Sequence, residues 1–275
     1  MSQAGLYVVA TPIGNLEDIT YRAVSLLTDA DLIAAEDTRH SRILLSHYAI
    51  ATPMLALHEH NEDQVCGRIL ERVRDGECIA LISDAGTPLI SDPGYRLVLA
   101  AREAGLPVYS IPGPSAVIAA LSVAAIPPDR FRFEGFLPAR PAARVKKLEA
   151  LSREKETLIF FESSHRITAS IDDMAQIFGG NRLAALCREL TKKFETVLRA
   201  PLANILQQLL DDKNQTKGEF VIVVGGFEAS EDEAMSTALS MASALLEYLP
   251  ASQAARIAAR LNDVPRREVY RQLEQ

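Results

Sequence analysis

At 275 residues, 48% of them hydrophobic and none of them Trp, the chain is long enough for two aliphatically packed domains or one large one. A net charge of −7 excludes a global basic field that would gather nucleic acid, so any nucleic-acid partner must be held by local patches. Three scattered cysteines, Cys66, Cys78 and Cys187, form no CxxC pair; they suggest neither a disulfide framework nor a zinc site and fit a reducing cytoplasm.

Residues 6–10 form a compact apolar run with no basic region before it, too short for a signal peptide, and no run approaches a membrane span. The run predicts a strand, followed by the rigid turn Thr11-Pro12-Ile13-Gly14-Asn15. Helical spacing covers 19–27, and a second strand over 32–35 runs into Glu36-Asp37-Thr38-Arg39. A helix near 42–48 precedes a short strand at 55–57, which ends in His58-Glu59-His60-Asn61. After a helix over 65–73 comes a buried strand at 79–82. A helix at 97–103 closes at Gly105, and a strand at 108–111 ends in Pro112-Gly113-Pro114-Ser115-Ala116. Strand alternating with helix implies a largely parallel sheet covered on both faces, with the polar turns gathered along one edge.

The stretch after residue 82 is the most constrained. Ser83, Asp84, Gly86, Thr87 and Pro88 crowd together, and Ser91-Asp92-Pro93-Gly94 follows at once. Gly86 lets a ligand approach the main chain, while Pro88 and Pro93 discourage helix before them. An open α/β sheet puts its ligand at such a loop; a tight strand-to-helix connection with an Asp cap has the same composition.

In the second half, an Ala-rich helix over 116–125 is broken by Pro127-Pro128, and 131–137 reads as a strand. Residues 138–155 carry six basic side chains against two acidic ones, including Arg140, Arg144, Lys146 and Lys147. Strands at 158–161 and 183–187 lead into Glu162-Ser163-Ser164-His165-Arg166 and Arg188-Glu189-Leu190-Thr191-Lys192. A last strand at 220–224 is preceded by Lys217-Gly218-Glu219. These signals place domains at 1–113 and 114–227. An acidic linker over 228–233 then leads into a helical extension, in which two short helices flank a turn at 262–265 as in a helix-turn-helix. Five arginines against three acids over 251–275 leave that extension open to nucleic-acid contact, packing or dimerisation.

No GxGxxG follows a strand and no P-loop lysine motif is present, so a nicotinamide or ATP site is not supported. The turns instead match another pattern: Ala10 to Leu16, Ala35 to Arg39, His58 to Asn61, Ser83 to Gly94, Pro112 to Ala116, Glu134-Gly135-Phe136-Leu137-Pro138, Phe161 to Arg166, Arg188 to Lys192 and Lys217 to Glu219. In that order they resemble the tetrapyrrole-methylase superfamily, and within it the branch that methylates small-subunit ribosomal RNA. The resemblance implies a two-domain α/β fold with a mostly parallel first sheet, a mixed second sheet and a small C-terminal helical extension. It implies S-adenosylmethionine as cofactor, the ribose 2′-hydroxyl of a cytidine in the decoding region of 16S rRNA as substrate, and a homodimer.

Carried onto this chain, Asp84, Ala85, Gly86 and Thr87 wrap the methionine part of the cofactor, with Leu89, Ile90 and Pro12 in the same binding set. Ser115 and Ala116 meet its ribose, and Phe161, Leu190, Gly218 and Glu219 border its adenine. A ribose hydroxyl is a weak nucleophile, so a base should help; Glu36, Asp37, His58 and Glu162 each end a strand on the cleft edge. Each can instead be a helix cap or a partner for Arg39 or Arg166. His58 and His60 lack a third ligand, so no metal is expected. The basic 138–155 segment favours RNA over a tetrapyrrole or a protein side chain as methyl acceptor. The intact turns speak against a non-catalytic regulatory protein that keeps the fold.

Overall fold

The computed structural model describes residues 3–58, 61–228 and 231–273. Glu59 and His60 of the predicted turn, and part of the 228–233 linker, lie outside the described residues. The chain divides into two compact units, one up to Gly226 and one from Phe227 on.

The first sheet is built from β1 (Gly5–Val9), β2 (Leu32–Ala35), β3 (Met54–Ala56), β4 (Cys78–Ile82) and β5 (Val108–Ile111), in the order β3-β2-β4-β1-β5 and parallel throughout. Every residue of β2 and β4 is buried, as a sheet covered on both faces requires. On one face lie α1 (Tyr21–Asp29) and α2 (Thr38–His47), contributing Ala23, Leu26, Leu27 and Leu45 to the core. On the other lie α3 (Glu62–Arg74) and α4 (Tyr95–Glu103), contributing Ile69, Leu70, Val73 and Leu97. The helices α1 to α4 overlap the predicted ones within a few residues. The largest offset is at α2, which starts at Thr38 because the Asp37 side chain accepts from the Arg39 N–H and caps it.

This order makes a topological switch. β1 and β4 are neighbours, yet the chain leaves β1 through α1 toward β2 and leaves β4 through α4 toward β5, on opposite faces. A crevice opens at the carboxyl ends of such a strand pair.

The second sheet follows α5 (Ala116–Val123). Its strands are β6 (Phe131–Phe136), β7 (Thr157–Ser163), β8 (Leu183–Arg188), β9 (Thr196–Pro201) and β10 (Glu219–Val224), in the order β6-β7-β10-β8-β9. Only the β6–β7 pair is parallel, so the sheet is mixed. Alternation along β7 sends Leu158 and Phe160 to a core covered by α6 (Pro141–Leu151), α7 (Ile167–Phe178) and α8 (Leu202–Asp211). Ile159 and Phe161 face α5 and Ile13 from the turn after β1. Burial of a side chain such as Phe160 contributes about 1.5–3 kcal/mol. The sequence reading has no element where α6, α7, β9 and α8 form. β9 pairs only with β8 at the sheet edge, and its residues, half of them exposed and none fully buried, carry a weak alternation signal.

The second unit contains α9 (Glu231–Leu245), α10 (Ala251–Asn262) and α11 (Arg266–Leu273) around a small core of Ala238, Ala242, Ala255, Ala258 and Val269. Among the described residues no helix is long and apolar enough to cross a membrane.

Candidate active site

All five turns after the first-sheet strands lie at its carboxyl edge, because parallel strands all end on one side. At the switch, the turns after β1 and β4 are joined by a short bridge between Thr11 and Gly86. The Thr11 hydroxyl also donates to the Ser83 carbonyl at 3.2 Å, and the Thr87 hydroxyl donates to the Pro114 carbonyl at 3.0 Å. Three turns are thus tied into one frame.

The second sheet meets this frame with an edge of its own. β10 runs antiparallel to both β7 and β8, pairing Glu219 with Ser163 and Phe220 with Arg188. The turn that precedes β10 therefore sits beside the turns that follow β7 and β8. Left-handed backbone clusters here at non-glycine positions: Leu89 (φ 74°), Ser91 (φ 72°), Glu189 (φ 51°) and Thr191 (φ 66°). Such residues cost about 1–3 kcal/mol each and persist where surrounding structure holds them, commonly at functional sites.

Between the two edges lies a cavity of about 390 Å³. Ala85, Gly86, Thr87, Ile90, Ser115, Ala116, Phe161, Leu190, Gly218 and Glu219 line it, so ten of the residues assigned from the resemblance converge. Three do not. Pro12 and Asp84 line a second cavity of about 260 Å³, which Thr11 also lines, and Leu89 packs on the core beneath α4. Ile13, Ser91, Asp92, Phe136 and Cys187 line the first cavity and were not assigned to it from sequence. Asp92 stood in the quoted Ser91-Asp92-Pro93-Gly94 cluster, a polar signal that could have found it; Ile13 and Cys187 read as core residues.

The proposed bases are placed less favourably. Glu36, Asp37 and His58 line neither cavity. Asp37 caps α2 and pairs with Arg39 at 2.9 Å; the Arg39 hydrogen bonds hold its carboxyl down to about 2, which makes it a poor proton acceptor. Glu36 Oε2 accepts from the Asp84 N–H at 3.3 Å and braces the loop. The His58 N–H donates to Asn61 Oδ1 at 2.8 Å, at the start of α3. Glu162 does line the first cavity, but its buried carboxylate is engaged by the Ser170 hydroxyl at 2.6 Å, the Ser163 N–H at 2.8 Å and Arg166 at 2.7 Å. Asp92 differs: burial, reinforced by the Glu36 and Asp84 charges, pushes its carboxyl up to about 6 against a lowering hydrogen bond from Ser83. Burial likewise pushes the Cys187 thiol up to about 12, so it lines the cavity as a neutral, unreactive group. Among the described residues no cluster of three or more His, Cys, Asp or Glu is arranged to hold a metal.

Of the basic residues proposed for RNA, Arg140 and Lys146 are exposed, while Lys147 pairs with Glu134 at 2.7 Å. Arg144 is a correction. It is 4% exposed and bound to Asp173 at 2.6 Å, because α6 places it in helical register with buried Leu148 and Leu151. It is out of reach of a polyanion.

Residues 5–206 match the profile of the Tetrapyrrole (Corrin/Porphyrin) Methylases, and 231–275 match that of the RsmI C-terminal HTH domain. A Xylella fastidiosa protein named ribosomal RNA small subunit methyltransferase I is 55% identical, covering 98% of this chain and 99% of its own length. The chain belongs to the tetrapyrrole methylase family, in its ribosomal RNA small subunit methyltransferase I branch. A protein of the same name from Pseudomonas aeruginosa is 50% identical over 99% of this chain and 97% of its own. The solved uroporphyrin-III-C-methyltransferase from Thermus thermophilus superposes with a TM-score of 0.56 at 20% identity, covering 81% of this chain and 94% of that one, a likeness of fold. As a tetrapyrrole methylase of this branch, the chain is an S-adenosylmethionine-dependent methyltransferase.

Proposed function

We propose that this methyltransferase modifies the ribose 2′-hydroxyl of a cytidine in the decoding region of 16S rRNA, acting in the cytoplasm as a homodimer. One observation carries the substrate: near-full-length identity of about half to proteins named for small-subunit ribosomal RNA.

The first cavity suits the cofactor. Apolar Ile13, Ile90 and Ala116 alternate there with polar Thr87, Ser115 and Glu219, matching a ligand that is part adenosine and part amino acid. Phe136 and Phe161 stand edge to face, their centroids 5.6 Å apart, at the end assigned to adenine. When bound, S-adenosylmethionine supplies an electrophilic methyl group on a cationic sulfonium. The residues on the chain that would hold it are Ala85, Gly86, Thr87 and Ile90 on the methionine side, Ser115 and Ala116 at the ribose, and Phe161, Leu190, Gly218 and Glu219 at the adenine. Asp92 offers the carboxylate that a sulfonium favours, ionised above about pH 6. These walls would orient the donor toward an incoming acceptor, and holding the two in line supplies much of the barrier reduction for group transfer.

The homodimer is supported by exposed Tyr95, Leu99 and Ile118, apolar side chains that a second copy would cover. Sedimentation at micromolar concentration should show twice 30.0 kDa. For the reaction, mass mapping of small-subunit rRNA from cells with and without the gene should show the loss of one methyl group from one cytidine ribose. An unchanged modification pattern would overturn the substrate assignment.

A further inference from the structure

The second cavity adjoins the first. Ile13, Ala85 and Glu219 line both, so a ligand in one touches the wall of the other. Its far end is closed by α2, where His40, Ser41 and Leu44 face it. Ser41 is 3% exposed, and its buried hydroxyl has no hydrogen-bond partner. A buried hydroxyl left unpaired costs about 1–3 kcal/mol, and a group of this kind on a cavity wall is explained by a ligand that pairs with it. Gly14, Leu16 and Lys192 continue the lining into an open groove of about 550 Å³ that also holds His47 and Lys193. Lys192 is fixed at the junction by Glu189 at 3.0 Å and Glu219 at 2.8 Å. The route from solvent to the cofactor wall therefore runs past Lys193, Lys192 and Glu17 into a partly apolar chamber, whose α2 side carries an unsatisfied hydroxyl.

We propose that the second cavity receives the methyl-accepting nucleoside of a single-stranded RNA segment, with its sugar at the wall of Ile13, Ala85 and Glu219 and its base toward His40 and Ser41. The proposal rests on the ribose-methyltransferase reading and gives it a place. Methyl donor and acceptor must come into direct contact, which is possible only where the two cavities adjoin, so the sugar takes that side and the base the opposite one. A nucleoside can enter so narrow a chamber only when unstacked from its neighbours, the state in which proteins read single-stranded RNA bases by their edges. The flanking phosphates then lie in the open groove beside Lys193.

Two measurements on the full-length protein test this. First, a short RNA carrying 5-iodocytidine at the methylated position is irradiated with the protein, and the cross-link is mapped. Attachment within residues 38–47 or 188–193 is expected; attachment confined to 131–178 or to the second unit overturns the proposal. Second, Ser41→Val, with the milder Ser41→Ala beside it, should lower kcat/KM for unmodified small-subunit particles about tenfold. Cofactor affinity should hold, and thermal stability should be equal or higher, since an unpaired buried hydroxyl is removed. Unchanged kcat/KM in both variants overturns the proposal while leaving the functional reading intact. Wild-type protein that binds S-adenosylmethionine yet methylates no ribose in those particles overturns the functional reading, and this proposal with it.

Discussion

The backbones of Thr11 and Gly86 are joined twice: the Thr11 N–H donates to the Gly86 carbonyl at 2.8 Å, and the Gly86 N–H donates to the Thr11 carbonyl at 3.0 Å. These residues come from turns 75 positions apart in the chain, after neighbouring strands whose exits diverge. The bridge ties together the two turns that flank the switch-point crevice; Gly86 lines the first cavity and Thr11 the second.

Gly86→Val tests the first cavity. Gly86 has φ of +81°, and a Cβ there would lie 3.3 Å from Ile13 Cγ2. The left-handed backbone costs a β-branched residue about 1–2 kcal/mol, and the added methyls enter the cavity. We expect at least a tenfold loss of S-adenosylmethionine affinity by calorimetry, with a smaller drop in melting temperature. Equal affinity would remove this loop from the site.

Asp92 sets a pH dependence. Its carboxyl is raised from 3.8 to about 6, so the fold favours the neutral form; this contribution is full below pH 4 and lost as pH rises through 6. Asp92→Asn should therefore match the wild type in stability at pH 4 and exceed it at pH 7.5 by about 1–2 kcal/mol, after allowing for solvent screening. A bound cation reverses the preference. Wild-type affinity for S-adenosylmethionine should rise between pH 5 and 7, while that for the neutral thioether S-adenosylhomocysteine stays flatter. Parallel pH profiles for the two ligands would remove Asp92 as the charge partner.

Arg144 should behave as a structural residue. Arg144→Ala strands Asp173 in a largely buried site and should cost about 3–5 kcal/mol in urea unfolding. Arg140 and Lys146 are exposed, and neutralising both should reduce the slope of log RNA affinity against log salt by about 0.7–0.9 per contact. A slope that stays put in that double variant would move the RNA contact away from α6.

Ending the chain after Gly226 should leave cofactor affinity unchanged, because every residue lining the first cavity precedes that point. RNA affinity should fall by less than on loss of the Arg140–Lys146 contacts if the second unit mainly packs. Gel-shift titrations of the truncated and full-length proteins at matched salt compare the two.

Much of this protein was decided by sequence alone. Apolar runs such as 32–35 and 79–82 mark the parallel strands, because a strand buried on both faces admits few polar residues. Gly, Pro and Asp clusters mark the turns after them, because only those residues take the tight backbone the turns need. The motifs in their order also carried the family. The tertiary structure decided which turn residues share a cavity. Asp84 and Gly86, two positions apart, line different chambers, a division that their spacing in the chain does not announce. Gly218 precedes β10 and Glu219 opens it, and only the antiparallel register of that strand brings them to the site. Arg144 and Lys146 look alike in a list of charges; the helical turn of α6 buries one and exposes the other. Asp92 reads as a turn residue, and its titration follows from burial and from the carboxylates of Asp84, in its own loop, and Glu36, which the pairing of β2 with β4 brings near it.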